Sequence, residues 1–219
     1  MHDLRIVHGD LKGVCTSFDT KYLPTSHPST KANILINEDR RACIADFGLT
    51  TITGVAIHTS ARASQVSLIS NDTLMSFTAG GTYRWMSPEL LDPERFGIPE
   101  PEGNRPTRQS DCYALGMVIY EVGIHINESA LIGGWLIIPQ VLCGHHPYVE
   151  VPSNLLVMSA IVEGNRPKKP EGATRLGFSN DLWIIIEWCW LEDRSKRPRT
   201  EDILSCLNDA TAFWYMREF

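Results

Sequence analysis

Gly81-Thr82-Tyr83-Arg84-Trp85-Met86-Ser87-Pro88-Glu89 decides how the rest of this chain is read. Its last three residues carry helix-start information. Ser87 is a good N-cap, Pro88 suits the first helical position, and Glu89 complements the positive end of a helix dipole. A helix is therefore predicted to begin directly after Ser87. Upstream, residues 50–79 are rich in Ser, Thr and Ala without a clean period, which predicts a long, mobile loop. Downstream, residues 91–106 hold four prolines and two glycines, so that stretch is predicted to be irregular.

Beyond it the chain turns helical. Residues 111–120 are apolar almost throughout, which predicts a buried helix. Ser153 caps a predicted helix that Gly164 stops. Leu182, Ile185, Ile186 and Cys189 follow the i, i+3, i+4, i+7 spacing of one amphipathic face. Trp183, Trp188 and Trp190 in the same region are expected to be packing anchors. Residues 200–207 predict a last helix. Near the start, Ile34-Leu35-Ile36 and Cys43-Ile44-Ala45 flank the polar turn Asn37-Glu38-Asp39-Arg40, a β-hairpin signal. The fold class expected is mainly α with a small β-hairpin, an α+β domain.

Bulk properties narrow the function. A length of 219 residues suits one domain, and 43% hydrophobic with 21% charged residues suits a globular fold rather than a disordered one. The formal net charge of −6 argues against nucleic-acid and anionic-membrane partners, which need surplus Lys and Arg. The six cysteines form no C-x-x-C pair and show neither a zinc spacing nor a secreted disulfide framework, so reduced thiols are expected. Met1-His2-Asp3-Leu4-Arg5 lacks the apolar core of a signal peptide, and the longest apolar runs fall far short of the roughly 20 residues that span a bilayer. An intracellular, cytoplasmic location without membrane attachment is the expectation.

Three clusters carry chemistry: His8-Gly9-Asp10-Leu11-Lys12, Ala45-Asp46-Phe47-Gly48, and the stretch from Gly81 to Glu89. In this order they resemble the H-R-D-L-K, D-F-G and G-T-x-x-W-M-x-P-E signatures of eukaryotic protein kinases, most like the serine/threonine-type tyrosine-kinase-like group. Asp111 at the start of the buried helix and Arg197-Pro198 before the last one also match, so the resemblance covers nearly the whole chain. It implies a kinase C-lobe made of catalytic loop, activation segment and helical subdomain over residues 1–219. The cofactors implied are ATP and Mg²⁺. The partners implied are a protein substrate, the nucleotide and signalling proteins.

Residue by residue, the resemblance makes Asp10 the carboxylate that orients the attacking hydroxyl and Lys12 the cation that steadies the transferring phosphate. Asp46 and Asn33 would hold Mg²⁺ through oxygen ligands. Thr82 would hydrogen-bond Asp10 and Lys12, and Leu35 would pack beneath the adenine. Asp111 would accept backbone N–H bonds from the catalytic loop. Glu89 and Arg197 would form a buried ion pair. Thr73, Ser76 and Thr78 are the phosphosite candidates nearest the third cluster.

The sequence departs from the family in four places. Gly9 replaces the arginine of H-R-D, which in the family anchors a phosphate on the activation segment, so activity is expected not to depend on such phosphorylation. No glycine-rich loop or nucleotide-gripping lysine precedes residue 8, so the N-lobe is expected to be missing and phosphoryl transfer by this chain impaired. Asp10 and Asn33 are separated by 22 residues, where the family has four. Deleting residues 14–31 restores D-L-K-G-A-N, and deleting residues 123–141 joins Glu121-Val122 to Leu142-Cys143-Gly144. Both segments read as insertions or unspliced introns.

Two further readings stand beside a protein serine/threonine kinase. One is a non-catalytic kinase remnant acting as a binding module. The other is a small-molecule kinase of the aminoglycoside phosphotransferase type, whose H-G-D-L-x-x-x-N loop suits Gly9. That class lacks a counterpart of residues 81–89 with Asp111 and Arg197. A metallophosphatase is more remote, because the expected G-N-H is here Gly103-Asn104-Arg105 and Gly164-Asn165-Arg166.

Overall fold

A computed structural model of the 219-residue chain describes residues 1–16, 33–36, 42–52, 82–99, 102–103, 105–129, 146–169 and 180–215. The predicted loop at 50–79, apart from residues 50–52, and the candidates Thr73, Ser76 and Thr78 lie outside the described residues. So does most of each proposed insertion.

The apolar run at 111–120 becomes the middle of a helix, α2, spanning Arg108–Ser129. Tyr113 and Met117 on it are fully buried. A short helix α1, Pro88–Leu91, precedes it, and α3, Asn154–Val162, α4, Asn180–Cys189, and α5, Thr200–Tyr215, follow. α2 is the hub. It packs against α4, against the 3-10 turn Thr82–Trp85 and against the turn Arg194–Lys196. α3 packs on α1, and α5 on α4. Val157 and Ile161 of α3 and Ile186 of α4 join the same core at 0% exposure. Each such buried aliphatic side chain contributes about 1.5–3 kcal/mol.

α2 and α4 approach unusually closely because Gly116 has no side chain there. A Cβ on Gly116 would stand 2.6 Å from Cys189 Cβ. Around that contact, Trp190 meets Tyr120 edge-on at 5.6 Å and Trp183 at 5.9 Å, geometries that aromatic quadrupoles favour. Trp188 does not join them. It is 49% exposed, which corrects its expected role as an anchor.

The hairpin is present, with β3, Ile34–Ile36, antiparallel to β4, Ala42–Ile44. It is not alone. β2, Val14–Thr16, pairs in parallel with β3, and β1, Ile6–Val7, pairs antiparallel with β5, Thr51–Ile52. The start of the first proposed insertion is thus a strand, and the start of the second continues α2 to Ser129. Ser87 and Ser153 stand at the predicted N-cap positions in extended conformation, but neither hydroxyl bonds its helix. No helix among the described residues is long and apolar enough to cross a membrane.

Candidate active site

Asp111, in the first turn of α2, organises the segment that follows β1. Its Oδ2 accepts from the backbone N–H of His8 at 2.8 Å and its Oδ1 from that of Gly9 at 2.9 Å. These are the bonds expected of it. His2 adds a third contact to Oδ2 at 3.1 Å. Gly9 has φ +82, a conformation that favours glycine, and a Cβ there would meet Leu49 O and Pro106 Cγ, each at 3.0 Å. The residue at this position is set by local space as well as by chemistry.

His8 ties this segment to the one that bears Asp46. The Asp10 backbone N–H donates to His8 Nδ1 at 3.3 Å, so the other ring nitrogen carries the proton and donates to Ala45 O at 3.0 Å. The Phe47 ring lies 5.3 Å from the His8 ring. Asp46 is exposed, with φ +58, the left-handed region that Asp tolerates better than most residues.

Asp10 and Lys12 are both buried. Lys12 Nζ donates to Asp10 Oδ2 at 2.7 Å and to Thr82 Oγ1 at 3.0 Å. An ammonium has three N–H donors, and two of them are used among the described residues, which leaves one there for an anion. Thr82 reaches the pair through Lys12. Asn33 arrives beside them despite the long separation in sequence. Its backbone N–H donates to Lys12 O at 2.9 Å, and its carbonyl accepts from Ala45 N at 2.8 Å. The segment between residues 12 and 33 is therefore closed at its base. Asn33 Nδ2 donates to Asp10 O at 2.6 Å and to Asp10 Oδ2 at 3.0 Å.

Two consequences follow for chemistry. Asp10 Oδ2 is committed twice, while Asp10 Oδ1 is buried and lacks a hydrogen-bond partner among the described residues. A buried unpaired carboxylate oxygen is costly and marks a position for a donor from outside. Asn33 Nδ2 is spent on Asp10, and the Asn33 amide oxygen and the Asp46 carboxylate on the adjoining segment are oxygens of the kind a hard cation takes. These donors fit Mg²⁺. Leu35 lies in β3 opposite Cys43, and its side chain lies outside the described residues.

The third cluster is pinned from several sides. Thr82 through Leu90 are all buried. Arg84 donates to Pro147 O and Tyr148 O, both at 2.8 Å, and Tyr83 OH donates to Asn154 Oδ1. Trp85 Nε1 donates to Glu121 Oε2 at 3.1 Å. Burial pushes the Glu121 carboxyl up to about 7, the Trp85 bond opposing it only in part. Glu89 and Arg197 form the expected pair, with both guanidinium ends at 2.7 Å from the two carboxylate oxygens. Sequence reasoning assigned no role to His8, Arg84 or Glu121. His8 was in view within its motif. The other two become legible only when the chain is folded.

Comparison with known proteins identifies the family. The sequence model of the protein tyrosine and serine/threonine kinase family matches residues 30–207. A probable serine/threonine-protein kinase of Dictyostelium discoideum is 27% identical over 81% of this chain and 14% of its own length. Mitogen-activated protein kinase kinase 9 of Arabidopsis thaliana is 26% identical over 94% of this chain and 47% of its own. Ephrin type-A receptor 5 of Rattus norvegicus is 26% identical over 80% of this chain and 13% of its own. The chain thus spans less than half the length of these relatives. With the family model covering most of its residues, the chain belongs to the protein tyrosine and serine/threonine kinase family.

Proposed function

We propose that this chain is the C-lobe part of a protein kinase that transfers a phosphoryl group from ATP to serine or threonine side chains of proteins. The observation that carries this reading is the buried Asp10 carboxylate, with Oδ2 held by Lys12 and Asn33 and Oδ1 without a partner among the described residues. In this reading Asp10 Oδ1 accepts the proton of an incoming hydroxyl and orients its oxygen. Lys12 holds Asp10 Oδ2 and directs an N–H toward the transferred group, and Thr82 holds Lys12 in place. Asn33 and Asp46 supply the oxygens for Mg²⁺. When bound, Mg²⁺ and ATP supply charge neutralisation and the phosphoryl group. Positioning of this kind accounts for much of the catalysis in such reactions, since a misplacement of roughly 1 Å costs about a hundredfold in rate.

Serine/threonine preference rests on Lys12, two residues after Asp10. Residues 14–31 and 123–141 are treated as insertions around an intact site, because Asn33 is brought to Asp10 across the first. Transfer by this chain alone is expected to be slow, since among the described residues the groups it offers the nucleotide are Lys12, Asn33, Asp46 and the Leu35 strand. The location inferred is the cytoplasm, with signalling proteins as partners.

Labelled ATP, Mg²⁺ and a general protein substrate test this. Label on serine and threonine that disappears in Asp10→Asn supports the proposal. Label no greater than in Asp10→Asn would leave the reading as a non-catalytic binding module, and label on tyrosine would overturn the specificity.

A further inference from the structure

Helix α3 is apolar all round, yet only one side of it is packed. Of its residues only Asn154 and Ser159 are polar. Val157 and Ile161 face the core and are fully buried. A helix apolar on every side is ordinarily enclosed on every side. Here Leu155 is 76% exposed and Leu156 56%. Leu155, Met158, Ser159 and Val162 follow i, i+3, i+4, i+7 spacing, so they form one stripe turned away from Val157 and Ile161.

Met158 and Val162 of that stripe, with Leu91 at the end of α1, line a groove of about 330 Å³ between α1 and α3. Asp92, Arg95 and Glu163 line it as well. Asp92 Oδ1 accepts from the Arg95 backbone N–H at 3.1 Å, and Glu163 Oε1 accepts from Ser159 Oγ at 2.8 Å. An ionised carboxylate has about four acceptor sites, so these single bonds leave both acids able to take a further donor. Asp10, Lys12 and Asn33 do not line the groove.

We infer that this groove docks a basic amphipathic helix of a protein partner. Its apolar side chains lie along the α3 stripe, and its Lys or Arg side chains meet the acidic rim. The stripe from Leu155 to Val162 is about 10 Å long, two helical turns, which suits anchors at i, i+4 and i+7 of a facing helix.

Charge selects the partner. Residues 91–97 and 149–164 carry the acids Asp92, Glu94, Glu150 and Glu163 against one base, Arg95. Glu94, Glu150 and Glu163 are exposed. Nucleic acid and anionic membranes are repelled by such a rim. So is a second copy of the chain, because a two-fold pairing sets the same patch against itself, acid against acid. A cationic helix gains both the apolar contact and the charge. The site is placed beside the third cluster. Asn154, the first residue of α3, accepts from Tyr83 OH, and α1 follows directly from Ser87.

The test is fluorescence anisotropy of the full chain with three labelled synthetic peptides, each about four helical turns long. The first carries leucine at i, i+4 and i+7 with lysine on its flanks. The second has glutamate in place of lysine, and the third has alanine in place of leucine. The first is expected to bind about tenfold more tightly than either of the others. Leu155→Asp should weaken it by about tenfold, since a carboxylate then faces the peptide's leucines. Glu163→Lys should weaken the lysine peptide about threefold and strengthen the glutamate peptide about as much. Trp188→Asp, at an exposed apolar position of α4, should change none of the three affinities. Leu155 and Glu163 are exposed, so their variants are expected to fold. Should Leu155→Asp melt early, Glu163→Lys decides. Equal affinities for the three peptides, or loss of binding in Trp188→Asp instead of Leu155→Asp, overturns the inference. So does a dimer in sedimentation that Leu155→Asp dissolves, because the occupant is then a second copy. The assay reads no phosphoryl transfer, so its outcome is independent of the catalytic proposal.

Discussion

Glu89→Gln should be the most damaging near-isosteric change in the third cluster. Glu89 is 3% exposed and the Arg197 side chain 0%, so neither charge is screened by water. The pair is bidentate at 2.7 Å on both arms, the strongest geometry available to guanidinium and carboxylate. Removing the carboxylate charge leaves a buried cation facing a neutral amide. Losing one partner of such a pair typically costs about 3–5 kcal/mol. Arg197 keeps its bonds to Leu191 O at 2.8 Å and Gln109 O at 3.0 Å, and it lies 5.2 Å from the Tyr113 ring centroid. Those contacts hold the expected loss near the lower end, about 3 kcal/mol. In a chain of this size each kcal/mol moves Tm by about 2–4 °C, so a fall of roughly 6–12 °C is expected. Urea melts of Glu89→Gln, Arg197→Met and the double variant would measure the coupling directly. The double variant should lose much less than the two single losses combined, because replacing both charges removes the unpaired one. A Glu89→Gln loss below about 1 kcal/mol, or additive single losses, would refute the reasoning.

Two other changes test the surroundings of the site. Glu121 titrates near 7 when folded against an ordinary value of 4.5, so between those values the folded state holds more protons and stability falls as pH rises. The total is about 3 kcal/mol, present below pH 4.5 and lost above pH 7; Glu121→Gln, which can still accept from Trp85, should flatten this slope and raise Tm at pH 8, and an unchanged Tm-against-pH profile would count against it. Gly9→Arg, which restores the family's residue, should destabilise by about 1–3 kcal/mol because φ is +82 and Leu49 O stands 3.0 Å from the new Cβ. Gly9→Ala should show most of that loss, and melts of both variants within 1 °C of the parent would refute the steric account.

The parts of the fold that could be read in the sequence are those in which one short pattern meets one strong physical demand. Ile185, Ile186 and Cys189 repeat at helical spacing, and they are the buried face of α4. The same period places Trp188 off that face, where it is exposed, so the periodicity was a better guide than the residue's size. β1 and β5 were not legible because two residues carry no period, and their partners lie far apart in the chain. Continuation of α2 to Ser129 was not legible either, since the stretch after Glu121 shows no apolar repeat to separate helix from loop. Ser87 shows a subtler limit: its position at the helix start was readable, the absence of its capping bond was not.

For the site, the support that Asp111 gives the His8 and Gly9 backbone and the Glu89–Arg197 pair were readable, and the bonds that hold Asn33 and His8 were not. Asn33 illustrates why. Its distance from Asp10 in sequence argued for disrupted geometry, yet loop-closure entropy grows by only ~0.6 kcal/mol per doubling of length. Four local bonds hold it in place: its N–H to Lys12 O, its carbonyl from Ala45 N–H, and Nδ2 to both Asp10 O and Asp10 Oδ2. What matters for such a site is whether the two ends of an insertion meet, and the ends are fixed by groups outside it. Asp111 is the deeper case. It sits at the start of the helix whose burial holds the core together, and the same carboxylate fixes His8 and Gly9. The hydrophobic hub and the segment from His8 to Lys12 are thus joined at Asp111, and that polar segment keeps its shape because it hangs from the helix on which the core packs.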